Sequence, residues 1–257
     1  MATRTPPAPA SAADTVAAHL LDAALRYAED RHWDVVPGTW LTTVDGMPRC
    51  SCGHPACASP GAHPVDPGWA GLATGSTLTV RRLWSGQPLA SVLLPTGRAF
   101  DALDVSEAAG CLALARLERL GVPLGPVLCT PTRRVVFFVL PGSASKFPAR
   151  LRRLGRPPAS IDLVVHAAGS HVVAPPTRVG SAGHTQWVRE PTAENRWLPD
   201  AESLFNAMVY AVRASAGLDG GRRTLTPTPS WGRHQAGLTE VGVRGAVGGA
   251  GEFVRLR

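Results

Sequence analysis

The sequence predicts a globular domain of mixed helices and strands, on the basis of three observations. Segments at residues 14–31, 106–120 and 202–214 carry apolar side chains at helical spacing. Between them lie short apolar runs that end in turns containing Gly or Pro, which is typical of buried strands. Of the 257 residues, 44% are hydrophobic and 18% are charged, a composition that favours a folded core over disorder. This length allows one large domain or two small ones.

The first elements follow one another closely. Residues 1–12 are rich in Pro, Ala and Ser and are predicted to be a disordered lead-in. A helix is predicted from Asp14, its N-cap candidate, to Arg31. Residues 33–36 are predicted to form a short strand, which residues 39–44 extend.

A loop rich in cysteine and histidine follows at residues 49–64, RCSCGHPACASPGAHP. Zinc takes four N or S ligands in a tetrahedron, and tight Gly and Pro turns allow a short loop to supply them. The predicted ligands are Cys50, Cys52, Cys57 and His63, with His54 as the competitor for the fourth position. The alternative is a cysteine-containing loop without metal. Because four protein ligands leave no position for water, the predicted zinc is structural rather than catalytic.

The stretch from Leu93 to Glu107 is predicted to carry the function. A strand at residues 89–94 leads into the turn Pro95-Thr96-Gly97, and a second apolar run then delivers Asp104. A carboxylate that leaves a buried strand beside such a turn suits a cation or a phosphate–metal complex. The alternative is that Asp104 only caps the helix that follows.

Helices and further short strands make up the second half of the chain. The helix at residues 106–120 is predicted to bury Cys111, and Cys129 is predicted to be a core residue. Residues 161–165 and 171–174 are predicted to pair as antiparallel strands. The other predicted elements are a helix at 80–84, strands at 127–129, 135–140 and 186–188, and the helix at 202–214.

The charge of the chain points to an anionic partner. The formal net charge is +7, and Lys146 is the only lysine, so nearly all the positive charge is arginine. Arginine suits bidentate phosphate contacts, which favours a nucleic acid or a nucleotide as partner. A GC-rich genome would explain arginine in place of lysine but not the surplus of charge. A basic cluster at residues 146–156 is either a solvated face or a phosphate contact.

No apolar run is long enough to span a membrane, and residues 1–15 lack the apolar centre of a signal peptide. We therefore expect a cytoplasmic protein with no membrane partner, whose cysteines are reduced or metal-bound. The Gly-, Pro- and Arg-rich residues 216–257 are predicted to be a disordered tail, which leaves residues 13–215 as the folded domain.

The motifs, in their order, resemble a known family. They are ALRYAEDRHWDVVP, the Cys/His loop, LLPTG, ALDV, VVFFVLPG and HVVAPPTRVGSAGHTQW, and they cover about Ala23 to Trp187. Together they resemble the N-terminal domain of bifunctional DNA primase/polymerases (Prim-Pol) of the archaeo-eukaryotic primase superfamily. The resemblance implies an α+β fold, in which an RRM-like mixed or antiparallel sheet is flanked by helices and carries the active site. It also implies transfer of nucleotides to a primer with Mg²⁺ or Mn²⁺, and hence DNA and nucleoside triphosphates as partners.

The acidic positions of the family are only partly matched. Asp104 and Asp162 match and are the implied ligands of the divalent cation. Ser106 stands where the first motif has a second carboxylate, and the neighbouring Glu107 is the candidate substitute. A shift by one residue, however, turns a side chain to the other face of a strand. Asp101, three residues before Asp104, would serve only if the strand ended differently.

The basic positions differ as well. Arg133 and Arg134 stand where the family has a histidine at the head of a strand. With Thr96 and Arg98 of the LPTG turn they are the implied contacts to phosphate. His166 and His171 lie near the last acidic position but match no catalytic position of the family.

Three hypotheses follow. The first is a primase/polymerase-type nucleotidyltransferase that uses Asp104, Asp162 and Glu107. The second is a protein of the same fold that binds nucleotides or nucleic acid without catalysis. The third is a zinc-containing module that contacts a protein partner. The sequence contains no G-x-x-x-x-G-K-[ST] motif for phosphate binding.

Overall fold

The first described element is a well-capped helix. The structure, a computed structural model, describes residues 11–155, 161–192 and 197–219. Helix α1 (Ala12–Arg31) begins after Ser11, whose hydroxyl accepts a hydrogen bond from the Asp14 N–H at 3.1 Å. The Asp14 carboxylate in turn accepts the Ser11 N–H at 3.0 Å, which completes a capping box. The prediction that Asp14 is the N-cap is therefore wrong, because Ser11 holds that position.

A three-stranded antiparallel sheet lies next to this helix in the core. Its strands are β1 (Val36–Gly38), β4 (Ser91–Pro95) and β9 (His171–Val173), with β4 in the centre. Leu93 of β4 is opposite Val36 on one side and Val173 on the other. Helix α2 (Thr77–Gly86), longer at both ends than predicted, packs against α1.

The second sheet has five antiparallel strands and carries the candidate site. Along the sheet the order is β12 (Gln186–Arg189), β6 (Val127–Thr130), β7 (Arg134–Val139), β5 (Asp101–Ser106) and β8 (Leu163–His166). Helix α3 (Glu107–Arg119) connects β5 to β6, and helix α4 (Phe147–Arg153) lies between β7 and β8. Without β12 this is a β-α-β-β-α-β unit in the order β6-β7-β5-β8. The predicted α+β fold with an RRM-like sheet is confirmed.

The five-stranded sheet is buried on both faces over most of its length. Side chains alternate along each strand, so Leu103, Val105 and Phe137 face α3 and α5 (Ala201–Asp219). Ala102 and Phe138 lie in the other core cluster, which includes α1 and β4. Asp104 shares the strand face of Ala102, and this places its carboxylate on the side opposite α3.

A separate hairpin and a short strand pair complete the described strands. Strand β2 (Leu41–Val44) pairs only with β3 (Met47–Cys50), through a turn in which Asp45 and Gly46 both have positive φ. The predicted continuation of the first strand through residues 39–44 is therefore wrong. The chain leaves β1 at Gly38, which bridges to Pro64 of the Cys/His loop. Strands β10 (Arg178–Val179) and β11 (Gly183–His184) form the short pair.

The predicted pairing of residues 161–165 with 171–174 is wrong. Strand β8 pairs with β5, and β9 pairs with β4 in the other sheet. The turn at residues 167–170 therefore connects two sheets. Strands β8 and β9 each pair with a longer, mostly buried strand and so contact more apolar surface than they would in a hairpin of their own. An isolated two-stranded hairpin is only marginally stable in water.

The prediction that Cys111 is a core residue is also wrong, because its side chain is exposed. The buried face of α3 is formed by Ala109, Ala113 and Leu117, at spacings of four, and position 111 falls outside it. Cys129 is half-buried against the core.

Some predictions fall outside the described residues: the lead-in at residues 1–10, Arg156, and the tail beyond Asp219. Helix α5 runs to Asp219, past the predicted domain end at 215. Among the described helices, none is long and apolar enough to cross a membrane.

Candidate functional site

The fold brings Asp104 and Asp162 to one end of the five-stranded sheet. Asp104 lies in β5 between Val136 of β7 and Val164 of β8. Its side chain is 11% exposed, whereas that of Asp162, just before β8, is 42% exposed. One carboxylate is therefore inside the protein and the other is at its surface.

Arg134 joins the two carboxylates. Its Nε donates to Asp104 Oδ1 at 2.7 Å, and its Nη1 donates to Asp162 Oδ1 and Oδ2 at 2.6 and 2.8 Å. A further bond runs from Nη2 to the Asp104 carbonyl oxygen at 3.2 Å. Arg134 reaches these atoms because it begins β7 opposite Ser106, next to Asp104 in the sheet. The guanidinium therefore lies at the point where both carboxylates meet.

The two carboxylates keep Arg134 in its protonated form. Burial works against the charged guanidinium, but attraction to Asp104 and hydrogen bonds to both carboxylates outweigh it and raise the pKa of Arg134. Two carboxylates and one guanidinium leave one surplus negative charge. The arginine thus neutralises half of the negative charge that would attract a cation.

The second oxygen of Asp104 has a partner of its own. His166, the last residue of β8, lies with Nε2 at 3.3 Å from Asp104 Oδ2. Its Nδ1 is 3.0 Å from the Ser170 hydroxyl. If Nε2–H donates to the carboxylate, Nδ1 accepts from Ser170, and every polar atom of the ring is satisfied. The imidazole is buried, so Asp104 is held from two sides.

The implied divalent metal does not fit this arrangement while Arg134 stays in place. Magnesium and manganese bind carboxylate oxygens, and the available oxygens of Asp104 and Asp162 already accept hydrogen bonds from Arg134 and His166. A cation at that point would also face the positive guanidinium at close range.

The remaining predicted residues of this region have other partners. Glu107 Oε2 pairs with Arg133 Nε at 3.0 Å, and Arg133 has a positive φ of 63°. The Thr96 hydroxyl donates to the Ala167 carbonyl at 2.6 Å. Arg98, with an 84% exposed side chain, pairs with Asp34 at 2.7 Å. The guanidiniums of Arg133 and Arg98 both extend into solvent.

The Cys/His loop brings its four predicted ligands together. The Sγ atoms of Cys50, Cys52 and Cys57 and one ring nitrogen of His63 all lie within 4.8 Å of one another. His63 Nδ1 lies 2.9 Å from the Pro64 carbonyl, which fixes the proton on Nδ1 and turns Nε2 toward Cys50 Sγ at 3.5 Å. Metal-bound histidines commonly donate their second nitrogen to such a carbonyl. The donor set therefore fits a tetrahedral metal ion such as zinc.

The thiols of this group differ in acidity. Burial disfavours the Cys50 thiolate, but hydrogen bonds from the Cys52 and Gly61 backbone outweigh it and lower the pKa of Cys50 to about 6. Burial, with the neighbouring Cys50 thiolate, raises the pKa of Cys57 to about 12. One thiolate is thus already favoured, as metal ligation requires. His54 turns its Nδ1 to the Ala56 N–H instead, at 3.2 Å.

Sequence patterns do not predict the two side chains that contact the Asp104 carboxylate. They give His166 no role and place Arg134 among the phosphate contacts. Arg134 and Asp104 are 30 positions apart, so no local sequence pattern predicts their contact. They become neighbours because β5 pairs with β7.

An α+β protein with an RRM-like sheet and an acidic site at its end is the class that the fold and site define. Residues 24–201 match the family described as "Bifunctional DNA primase/polymerase, N-terminal" (Prim-Pol). The match covers more than half of the chain, and the chain belongs to this family. Comparison with curated proteins and with solved structures finds no match to either.

Proposed function

We propose that this domain binds nucleic acid and nucleoside triphosphates through its primase/polymerase fold, without nucleotidyl transfer in the state that the structure describes. The observation that carries the proposal is the double ion pair of Arg134 with Asp104 and Asp162. A carboxylate pair whose oxygens are occupied by a guanidinium does not hold the cations on which transfer to a primer depends.

Charge supports the binding part of the proposal. The net charge of +7 comes almost entirely from arginine, which forms bidentate contacts with phosphate. The guanidiniums of Arg98, which precedes β5 in the sequence, and of Arg133, which follows it, are exposed to solvent. Each is held by a single carboxylate and can make further contacts.

Primer extension and binding to primed or single-stranded DNA, measured on one preparation, test the proposal. We expect binding whose affinity falls steeply with salt concentration, as phosphate contacts require. We also expect no incorporation of dNTPs or NTPs with either Mg²⁺ or Mn²⁺. Incorporation of nucleotides would contradict the proposal that the domain does not catalyse transfer. DNA binding that does not depend on salt would contradict the proposal that it contacts phosphates.

The second candidate function is metal-dependent nucleotidyl transfer, with Asp104, Asp162 and Glu107 as the acidic residues. The common position of Asp104 and Asp162 at one end of the sheet favours it. If primer extension is observed, Asp104→Asn should abolish it, whereas Asp22→Asn on the exposed face of α1 should not. Activity that survives Asp104→Asn would remove this residue from the mechanism.

The Cys/His group has a structural role in this proposal, with zinc as its metal. The four ligands Cys50, Cys52, Cys57 and His63 leave no position for a substrate. A zinc module for a protein partner remains the third candidate, and DNA binding that is absent at low salt would favour it. A cytoplasmic location stays a prediction.

A further inference from the structure

The cation between Asp104 and Asp162 is part of the protein itself. Arg134 forms ion pairs with both carboxylates, and its side chain is 17% exposed. The guanidinium is therefore fixed inside the site and does not lie on the surface. We propose that Arg134 is a built-in counter-ion that closes a latent divalent-cation site, and that the guanidinium and a divalent cation exclude each other. This inference extends the proposed function, because it states what the acidic pair becomes when the arginine is removed.

The Arg134 guanidinium and a divalent cation need the same oxygen atoms. Asp104 Oδ1 and both oxygens of Asp162 accept hydrogen bonds from Arg134. These oxygens are also the ligands that a hard divalent cation would take. Occupation by one therefore excludes the other.

Without the arginine, both carboxylates would remain close together and accessible to a cation. His166, held by Ser170, still fixes Asp104 Oδ2, so the carboxylate stays oriented. Asp162 is partly solvent-exposed and gives a cation access from outside. Two carboxylates without the guanidinium carry two negative charges, one of them buried, and such a pair attracts a small divalent ion.

The adjacent arginine provides a matched control. Arg133 pairs only with Glu107 among its described ion pairs, and its side chain is 81% exposed. Arg133→Gln removes the same charge one position away while the link between Asp104 and Asp162 stays intact. An effect of net charge alone would therefore appear in both variants.

The experiment is Mn²⁺ binding by zinc-loaded protein, followed by the electron paramagnetic resonance signal of free Mn²⁺. We expect Arg134→Gln to bind one Mn²⁺ ion at the Asp104–Asp162 pair. The affinity of this site should be at least about tenfold higher than in wild type. Arg133→Gln should behave as wild type, and the double variant Arg134→Gln with Asp162→Asn should lose the gain. Equal affinity of Arg134→Gln and wild type would overturn the inference.

Stability provides a second readout if Arg134→Gln folds poorly. Loss of the arginine leaves Asp104 buried without its cation, so the melting temperature should fall, and Mn²⁺ should restore part of it. Mn²⁺ should leave the melting temperature of wild type and Arg133→Gln unchanged. A destabilised Arg134→Gln that Mn²⁺ does not restore would contradict the inference. Because neither readout uses DNA, failure of DNA binding would leave this result intact.

Discussion

Gly97 shows how closely the turn before β5 packs. A Cβ at this position would lie 2.2 Å from Ala168 Cα, and the backbone has a φ of +98°. The Gly97 N–H also donates to the Phe100 carbonyl at 2.7 Å, which closes the turn. The turn therefore has no room for a side chain, and it brings the LPTG segment against the turn that follows His166.

We expect Gly97→Ala to lower the free energy of unfolding by about 3 kcal/mol, because it combines a backbone clash with a left-handed conformation. Gly169→Ala is the matched control: its φ is +83°, but no atom lies within 4 Å of the added Cβ. It should cost about 1 kcal/mol. Urea unfolding measures both, and equal losses would show that the contact with Ala168 is unimportant.

Asp101 is a buried carboxyl group at the start of β5. It is fully buried, and Oδ2 accepts the Ala144 N–H at 3.3 Å, while Oδ1 has no hydrogen-bond partner among the described residues. Burial raises the pKa of Asp101 above its ordinary value, although the nearby backbone N–H groups of Ala144 and Gly142 favour the carboxylate and oppose the rise.

The folded state therefore binds this proton more tightly than the unfolded state does. The resulting stability is fully present below the unfolded pKa and is lost as the pH rises through the folded pKa. We expect Asp101→Asn to gain stability relative to wild type as the pH rises above about 4, the ordinary pKa of an aspartate. Urea unfolding across this range measures the difference, with the exposed Asp22→Asn as control. A difference that does not change with pH would contradict the assignment.

At the scale of elements, the Cys/His loop holds a hairpin that has little core of its own. Most side chains of β2 and β3 are exposed, and no other strand of the described part of the chain pairs with them. The loop is attached to the domain by the Thr39 N–H to the His63 carbonyl at 2.7 Å, and by the Gly180 N–H to the Pro60 carbonyl at 2.8 Å. Because an isolated hairpin is marginal, a metal at its base would stabilise it.

We expect Cys57→Ser to lose the bound zinc and to lower the free energy of unfolding by about 3 kcal/mol. Cys111→Ser is the control, since Cys111 is exposed on α3 and outside the group, and it should change stability by less than about 0.5 kcal/mol. Zinc content by mass spectrometry and chemical unfolding test both variants. Wild-type protein that is free of metal and equally stable with a chelator would refute the zinc site.

At the scale of the whole molecule, positive charge is concentrated at the C-terminal end of the sequence. Residues 220–257 contain six arginines and two glutamates. A segment with this surplus adds phosphate contacts without sequence specificity.

We expect deletion of residues 220–257 to weaken DNA binding and to reduce the slope of affinity against salt concentration. Residues 1–219 should keep the melting temperature of the whole chain. Fluorescence anisotropy with a labelled oligonucleotide at several salt concentrations measures the slope. An unchanged slope would show that the contacts lie entirely within residues 1–219.

Local sequence patterns predicted most of the helices and strands. Helical spacing indicated α1, α3 and α5, and β-branched runs such as residues 135–140 indicated strands. The four metal-ligand candidates were readable because all of them lie within one short loop. The pairing of strands was harder to predict from the sequence. Strands β8 and β9, for example, are adjacent in sequence but belong to different sheets.

The sequence by itself determined the α+β class, the family and the Cys/His group that could hold a metal, because each depends on residue type and short-range spacing. Only the tertiary structure decided what Asp104 and Asp162 contact. Their partner Arg134 is 30 positions from one and 28 from the other, and the pairing of β7 with β5 brings it between them. Because sheet register depends on burial across the whole core, no local pattern predicts that an arginine closes the acidic pair.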